Sequence, residues 1–198
     1  MPRDNAVKLG RLFRRPRWRG IAHKLYAAIV LQARCPEFYV CCAVPDTPDG
    51  HFDAIALHAF LVLRRLKRDH ARTEQLAQAL FDIMFEDMDQ NLREMGVGDL
   101  GVGRRVKAMA QAFYGRAAAY EAASAGDDAA LGEALWRNLY RGTAPGDDDV
   151  AAVVAYMRRE AAALDALDIE RLIGGNLHFG TPPGANPADG EATGEIPS

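Results

Sequence analysis

A chain of 198 residues, 49% of them hydrophobic, is long enough to bury one substantial core, and we expect a single domain with flanking segments. No apolar run approaches the ~18 residues of a membrane-spanning helix, so we expect a soluble or peripheral protein. The cysteines Cys35, Cys41 and Cys42 have neither zinc-ligand spacing nor an even number, which indicates free thiols in a reducing compartment.

The formal net charge of −3 conceals a basic N-terminal segment. Residues 1–24 hold eight basic residues and one acid, a net charge of +7, whereas the rest holds 16 basic and 26 acidic residues, a net charge of −10. Polycationic segments bind phosphate, in RNA or in anionic lipid, although a core helix with a solvated basic end fits the same pattern. The residues predicted to contact a polyanion are Arg11, Arg14, Arg15, Arg17, Trp18 and Arg19.

Apolar residues at three- and four-residue spacing predict about six helices. In chain order these are Arg17–Arg34, His51–Lys67, Thr73–Met95, Arg104–Ala123, a fifth from Asp127 or Asp128 to about Tyr140, and Asp147–Leu167. Pro36 ends the first helix, and the apolar residues Glu37–Val44 fit an extended segment. The predicted fold class is all-α, a single helical bundle at residues 18–180 between a basic arm (1–17) and a disordered Pro- and Gly-rich tail (181–198).

Helix starts are marked by side chains that accept hydrogen bonds from free backbone N–H groups. The predicted caps are Asp49, Thr73 or a neighbour of it, Asp99 and either Asp127 or Asp128. Asp147–Asp149 cluster at the start of the sixth helix, where the helix dipole favours negative charge, so we predict capping there and not metal binding.

The stretch Phe85–Asp99, at the end of the third helix, has the most unusual chemistry in the chain. Asp82, Glu86 and Asp89 share one helical face, and carboxylates at this spacing can converge on a cation. With His58 they define one hypothesis, a helical metalloprotein or enzyme. The chain has no Glu-x-x-His pair, however, and the simpler interpretation is a solvated acidic face and a buried, hydrogen-bonded histidine. We predict no metal and no cofactor.

Two stretches carry a resemblance to a known family. The first is YVCCAVPDTPDGHFDAIALHAFLVLRRL and the second is LFDIMFEDMDQNLREMGVGDLGVGRRVKAMAQAFYGR. In this order and spacing they resemble the ubiquinol–cytochrome c chaperone family, over roughly Tyr26–Gly180. The positions that match the motifs are Asp46, Asp49, Gly50, Phe52, His58, Phe85, Asp87, Met88, Leu92, Arg93, Glu94, Gly96, Gly98 and Asp99.

The resemblance implies a non-enzymatic, all-helical assembly chaperone for the bc1 complex. It implies a protein client, cytochrome b or another unassembled subunit, a small partner protein and, in mitochondrial members, the ribosome. The composition, rich in Ala, Arg and Gly, is typical of a bacterial source, for which the implied location is the cytoplasmic side of the inner membrane; a eukaryotic source would imply the mitochondrion. A generic membrane- or RNA-binding adaptor is the third hypothesis.

Methionine and phenylalanine together provide an adaptable apolar surface for a hydrophobic client. The predicted client or partner surface is Phe85, Asp87, Met88, Leu92, Arg93 and Glu94. The motif residues expected to be structural are Asp46, Asp49, Gly50, Phe52, His58, Gly96, Gly98 and Asp99, with the glycines supplying positive φ angles after the third helix.

Overall fold

The computed structural model describes residues 5–141 and 143–184, with side chains from residue 17 onward except at residue 100. All regular structure in these ranges is helical, as predicted for an all-α bundle. The helices are α1 (Asn5–Ala33), α2 (Pro36–Val40), α3 (Pro48–Arg68), α4 (His70–Glu94), α5 (Asp99–Ser124), α6 (Asp128–Asn138), α7 (Asp147–Ala166) and α8 (Ile169–Ile173). No helix in the described ranges is both long and apolar enough to cross a membrane.

The predicted N-terminal arm and C-terminal tail are described only in part. Helix α1 includes residues 5–17 of the arm, but the side chains of Arg11, Arg14 and Arg15 lie outside the described residues. At the other end, residues 181–184 of the predicted tail contact the bundle, and residues 185–198 lie outside the described residues. In the described part of the chain, residues 181–184 therefore lie against the bundle.

Helix α2 replaces the extended segment that the sequence predicted at Glu37–Val44. Pro36 occupies the first turn, where its missing N–H costs no hydrogen bond and its fixed φ suits a helix. The single turn buries Phe38, whose carbonyl accepts a hydrogen bond from Val44 N at 3.0 Å. A run this short and apolar throughout does not reveal its period, which is why the prediction was wrong.

The start of α3 is capped by Thr47 and not by Asp49. Thr47 Oγ1 accepts a hydrogen bond from Gly50 N at 3.0 Å, whereas Asp49 lies in the first turn of the helix. The prediction for α4 was also wrong, because that helix begins at His70 and Thr73 Oγ1 donates to the carbonyl of Leu66 instead of accepting from a free N–H.

Helix α5 begins after Gly98 without a side-chain cap, so the predicted capping role of Asp99 was wrong as well. Two later predictions were correct. Asp127 Oδ1 accepts from Ala130 N at 2.9 Å at the start of α6, and Asp149 Oδ2 accepts from Gly146 N at 2.9 Å at the start of α7.

Helix α3 is the centre of the bundle and contacts α1, α4, α5 and α7. Every residue from Phe52 to Val62 is buried, because the helix is surrounded on all sides. This burial explains why the apolar residues of α3 occupy more than one face. Between α8 and residue 184, the last residue described, the chain has no regular structure, and residues 176–184, which we call the C-terminal strap, run back across the bundle.

Candidate functional site

The turn before α3 is shaped by the close approach of Gly50 to the backbone. A Cβ at this position would lie 1.9 Å from the carbonyl oxygen of Pro45, so no residue but glycine fits. The neighbouring Asp46 carboxylate accepts from His51 Nε2 at 2.7 Å. Phe52, two residues after the glycine, is buried, with the Arg116 guanidinium carbon 5.6 Å from its ring centroid.

Asp53 is the centre of a buried charge cluster that the sequence analysis did not find. Its side chain is 0% exposed and lies 2.7 Å from Arg116 Nη2, while Arg141 Nη2 donates to the same carboxylate at 3.2 Å. Arg141 also donates from Nη1 to Asp49 Oδ2 at 3.0 Å, so one guanidinium joins the two acids. The cluster connects α3, α5 and the segment after α6.

Burial and ion pairing act in opposite directions on this cluster. Burial raises the pKa of Asp53, and the hydrogen bond from Arg141 and the charge of Arg116 lower it. The hydrogen bond to Asp53 and the charges of Asp53 and Asp49 raise the pKa of Arg141. Pairing with two guanidinium groups offsets the cost of burying this carboxylate, and because the partners lie on different elements the cluster joins α3 to α5 and to the segment after α6. The only sequence signal for this charge cluster was an aspartate within the apolar run of α3.

His58 lies at the centre of a second buried network. Its Nδ1 donates to the Ala54 carbonyl at 2.8 Å, which leaves Nε2 to accept from the Tyr156 hydroxyl at 2.8 Å. Tyr156 in turn accepts from Gln32 Nε2 at 3.0 Å. Burial lowers the pKa of His58 to about 4, so the ring is neutral at neutral pH. This is the buried, hydrogen-bonded histidine that we predicted.

The acidic face of α4 is attached largely to α1 and to its own helix. Glu86 Oε1 accepts from Arg19 Nη1 at 2.9 Å, and Asp87 Oδ2 accepts from the Tyr26 hydroxyl at 2.7 Å. Asp82 accepts from Gln78, and Asp89 accepts from Arg93, both at i,i+4 spacing.

The proposed carboxylate–histidine site is not assembled. His58 hydrogen-bonds to Ala54 and Tyr156 and packs against the rings of Phe38 and Phe179, and none of these partners lies on α4. Within the described ranges, no three His, Cys, Asp or Glu side chains lie close enough together to bind a metal ion. The geometry therefore does not support the metalloprotein hypothesis.

The predicted client surface divides into a buried and an exposed part. Phe85, Met88 and Leu92 are 8%, 6% and 7% exposed and pack inside the bundle, so these three side chains are not accessible to a client in this folded state. Arg93 and Glu94 are exposed, as is the neighbouring Met95, which is 58% exposed. The accessible part of this motif is therefore the end of α4.

Of the two motif glycines between α4 and α5, only Gly96 has a positive φ angle. Gly96 has φ +81, which favours glycine, whereas Gly98 has φ −62. Arg93 spans the joint, since it contacts Asp89 within α4 and Asp99 in the first turn of α5. We call the exposed end of α4, residues 93–95, together with this linker the α4–α5 joint.

Among the predicted polyanion-binding residues, the side chains of Arg17, Trp18 and Arg19 are described, and they differ in accessibility. Arg17 is exposed, with its guanidinium carbon 5.5 Å from the Trp18 ring centroid, and Trp18 is partly buried against the core. Arg19 pairs with Glu86, and both side chains are about half exposed.

A family model described as Ubiquinol-cytochrome C chaperone matches residues 41–179. The chain therefore belongs to this family. It also resembles a solved protein of the same fold, the Cbp3 homolog from Brucella abortus, whose crystal structure matches with a TM-score of 0.75 and 37% identity over 87% of this chain and 97% of that one.

Curated relatives agree with this assignment. The chain is 28% identical over 152 residues to ubiquinol-cytochrome-c reductase complex assembly factor 1 of Xenopus laevis, which covers 77% of this chain and 76% of the frog protein. The human factor of that name is 27% identical over 152 residues. The aligned region spans about half the length of the mammalian relatives, 52% of the mouse protein and 51% of the human one.

Proposed function

We propose that this protein is a non-enzymatic assembly chaperone that binds an unassembled subunit of ubiquinol–cytochrome c reductase. The observation that carries this proposal is the family match over residues 41–179. The names of its relatives, assembly factors for that complex, support it. The two buried polar groups of α3 support a non-enzymatic role. Asp53 and His58 are both enclosed in the bundle, and their side chains bind residues of other elements.

The client in this proposal is a hydrophobic subunit such as cytochrome b, and the client surface includes the α4–α5 joint. Met95 provides exposed apolar area there, while Arg93 and Glu94 provide charges beside it. An apolar centre with a polar rim is the usual composition of a protein interface. A small partner protein would bind the same chaperone at a separate surface.

The basic start of α1 supports a further part of the proposal, namely contact with an anionic membrane surface or with ribosomal RNA where the client emerges. Eight basic residues within residues 1–24 provide the charge. For a bacterial source this places the protein at the cytoplasmic face of the inner membrane. Such contact weakens with salt, since it depends on the release of counterions or on screened attraction.

Gene deletion with complementation tests the central proposal. We expect loss of assembled ubiquinol–cytochrome c reductase on native gels, and loss of its cytochrome b spectrum, with restoration by the wild-type gene. Normal levels of the complex after deletion would contradict the proposed role.

The client surface is tested by Met95→Asp in the same complementation strain, with Trp136→Asp as the matched control. Both side chains are exposed, at 58% and 45%, but Trp136 belongs to α6 and is not part of the α4–α5 joint. We expect Met95→Asp alone to reduce co-purification of the client, with folding of both variants checked by circular dichroism.

The basic segment is tested by replacing Arg11, Arg14 and Arg15 with Glu in the full chain. Flotation with anionic and with neutral vesicles, and RNA binding at two salt concentrations, distinguish lipid from RNA as the anion. Unchanged association in both assays would remove the basic segment from the proposal.

A further inference from the structure

Gly180 of the C-terminal strap is bound to the bundle through both of its backbone hydrogen-bonding groups. Gln32 Nε2 of α1 donates to the Gly180 carbonyl at 2.9 Å, and Glu160 Oε2 of α7 accepts from the Gly180 N–H at 2.9 Å. Both hydrogen-bonding groups of one peptide residue are therefore bound by side chains from two different helices. This is the kind of contact by which proteins bind an extended peptide irrespective of its side chains.

Glu160 is a buried acid that the strap helps to satisfy. It is 2% exposed, and its other partner is Arg159 at 2.9 Å. Arg159 also donates to the Thr181 carbonyl of the strap. A buried carboxylate that loses an N–H partner is destabilised, so the groove requires a backbone in this place.

The groove also selects two side chains. The ring of Phe179 meets the His58 ring edge-to-face, with centroids 5.1 Å apart, and Leu177 is 4% exposed. At the next position a Cβ on Gly180 would lie 2.7 Å from Glu160 Oε1, so a larger residue would displace the buried carboxylate. The groove therefore fits an extended segment in which an aromatic residue precedes glycine.

The ends of the strap are held by few hydrogen bonds: Asn176 N donates to the Arg171 carbonyl at 2.8 Å, and Cys42 Sγ lies 3.8 Å from the Pro183 carbonyl. Gly175, just before the strap, and Gly184, its last residue, have φ +82 and +78, a conformation that glycine adopts without strain. The strap belongs to no helix or sheet and so lacks a cooperative ladder of backbone hydrogen bonds. Segments with such contacts open locally at lower free energy than a packed helix does.

We propose that the groove between α1, α3 and α7 is a peptide-binding site, and that the strap is its internal ligand. When the strap opens, an extended segment of a partner protein with an aromatic–glycine pair takes its place. The resident sequence NLHFGTPPG, residues 176–184, is the template for that segment. This inference goes beyond the proposed function, because it does not depend on which complex the chaperone serves.

Hydrogen exchange of the wild-type full chain tests the opening step. We expect the Gly180 amide to exchange about 100-fold faster than the Leu57 amide in α3, at a rate that low concentrations of urea do not change. Equal protection of the two amides, with the same dependence on urea, would overturn the proposal, because the strap would then open only by global unfolding.

Binding of a fluorescent NLHFGTPPG peptide to the full chain tests the groove itself. The wild-type strap competes at a high effective concentration, so we expect Phe179→Ala in the chain to increase peptide affinity by about tenfold or more. Adding Gln32→Ala to that variant should remove the gain. A folded Phe179→Ala variant that binds no peptide would overturn the proposal.

Two altered peptides provide the specificity control. Replacing the peptide's Phe by Ala, or its Gly by Ala, should weaken binding to the Phe179→Ala variant by about tenfold, since each change removes or blocks one of the contacts described above. Equal binding of all three peptides would show that binding is non-specific and would also overturn the proposal.

Discussion

Arg141 and Asp53 lie 88 residues apart in sequence and form a hydrogen-bonded ion pair in the interior, with Nη2 to Oδ1 at 3.2 Å. The pair attaches the segment after α6 to the central helix α3. Arg141 has φ +50, an uncommon value for a residue with a side chain, so the pairing is made at a cost in backbone conformation. The charge cluster is thus an organising contact of the bundle.

Asp53→Ala should destabilise the protein strongly. Removal of the carboxylate leaves Arg116, which is only 12% exposed, and Arg141 without their shared partner, and breaking a buried pair in this way costs about 3–5 kcal/mol. Urea unfolding followed by circular dichroism measures the loss.

Asp49→Ala is the matched control for that variant. Asp49 contacts the same Arg141 but is 74% exposed, so its removal should cost less than about 1 kcal/mol. Equal losses for the two variants would contradict the importance of burial in the cluster.

Gly50→Ala should reverse the usual effect of replacing a helical glycine. Alanine normally stabilises a helix interior by about 0.5–1 kcal/mol, but here its Cβ would meet the Pro45 carbonyl at 1.9 Å and force the turn apart. We expect a lower thermal midpoint for Gly50→Ala. Gly115→Ala in α5, where nothing lies within 4 Å of the new Cβ, should instead raise it.

His58 should make the protein less stable in mild acid. Burial lowers its pKa from 6.5 to about 4, so the unfolded chain takes up the proton first. This contribution to the free energy of unfolding is complete above pH 6.5 and falls by about 3 kcal/mol as the pH drops to about 4.

His58→Gln provides the comparison, because glutamine retains hydrogen-bonding groups but does not titrate. Urea unfolding of both proteins at about pH 7.5 and about pH 5 should show a smaller loss of stability in the variant. Identical losses would mean that other groups account for the acid sensitivity.

Tyr26→Phe should weaken the attachment of α1 to α4 more than Arg19→Ala does. The Tyr26 hydroxyl is bonded at 2.7 Å to the half-buried Asp87, and loss of that bond costs about 0.5–1.5 kcal/mol. Arg19 and Glu86 are both about half exposed, and we expect no measurable change when that pair is removed. Urea unfolding of the two variants, followed by tryptophan fluorescence, makes the comparison, and a greater loss in Arg19→Ala would contradict this ranking.

The sequence predicted most of the helices because each pattern is local. Apolar spacing located α1 and α3 to α7. Asp127, one of the two predicted caps, correctly marked the start of α6. The sequence was less reliable at helix ends, where Thr47 took the role expected of Asp49, since two neighbouring side chains can accept the same kind of hydrogen bond.

The family motifs also identified the correct class of protein, although they did not say which motif residues face outward. Phe85, Met88 and Leu92 matched the family and were chemically suitable for binding a client, yet they are buried. Helical spacing shows that such residues share a face, but it does not show whether that face meets solvent or another helix.

By itself, then, the sequence determined the helical class, the basic N-terminal segment and the family, because these follow from spacing, charge and motif order. Only the tertiary structure decided that Asp53 meets Arg116 and Arg141, that His58 meets Tyr156, and that Glu160 meets the strap. Those contacts join residues far apart in the chain, and they form because burial obliges each polar group to find a partner that only the folded bundle brings within reach.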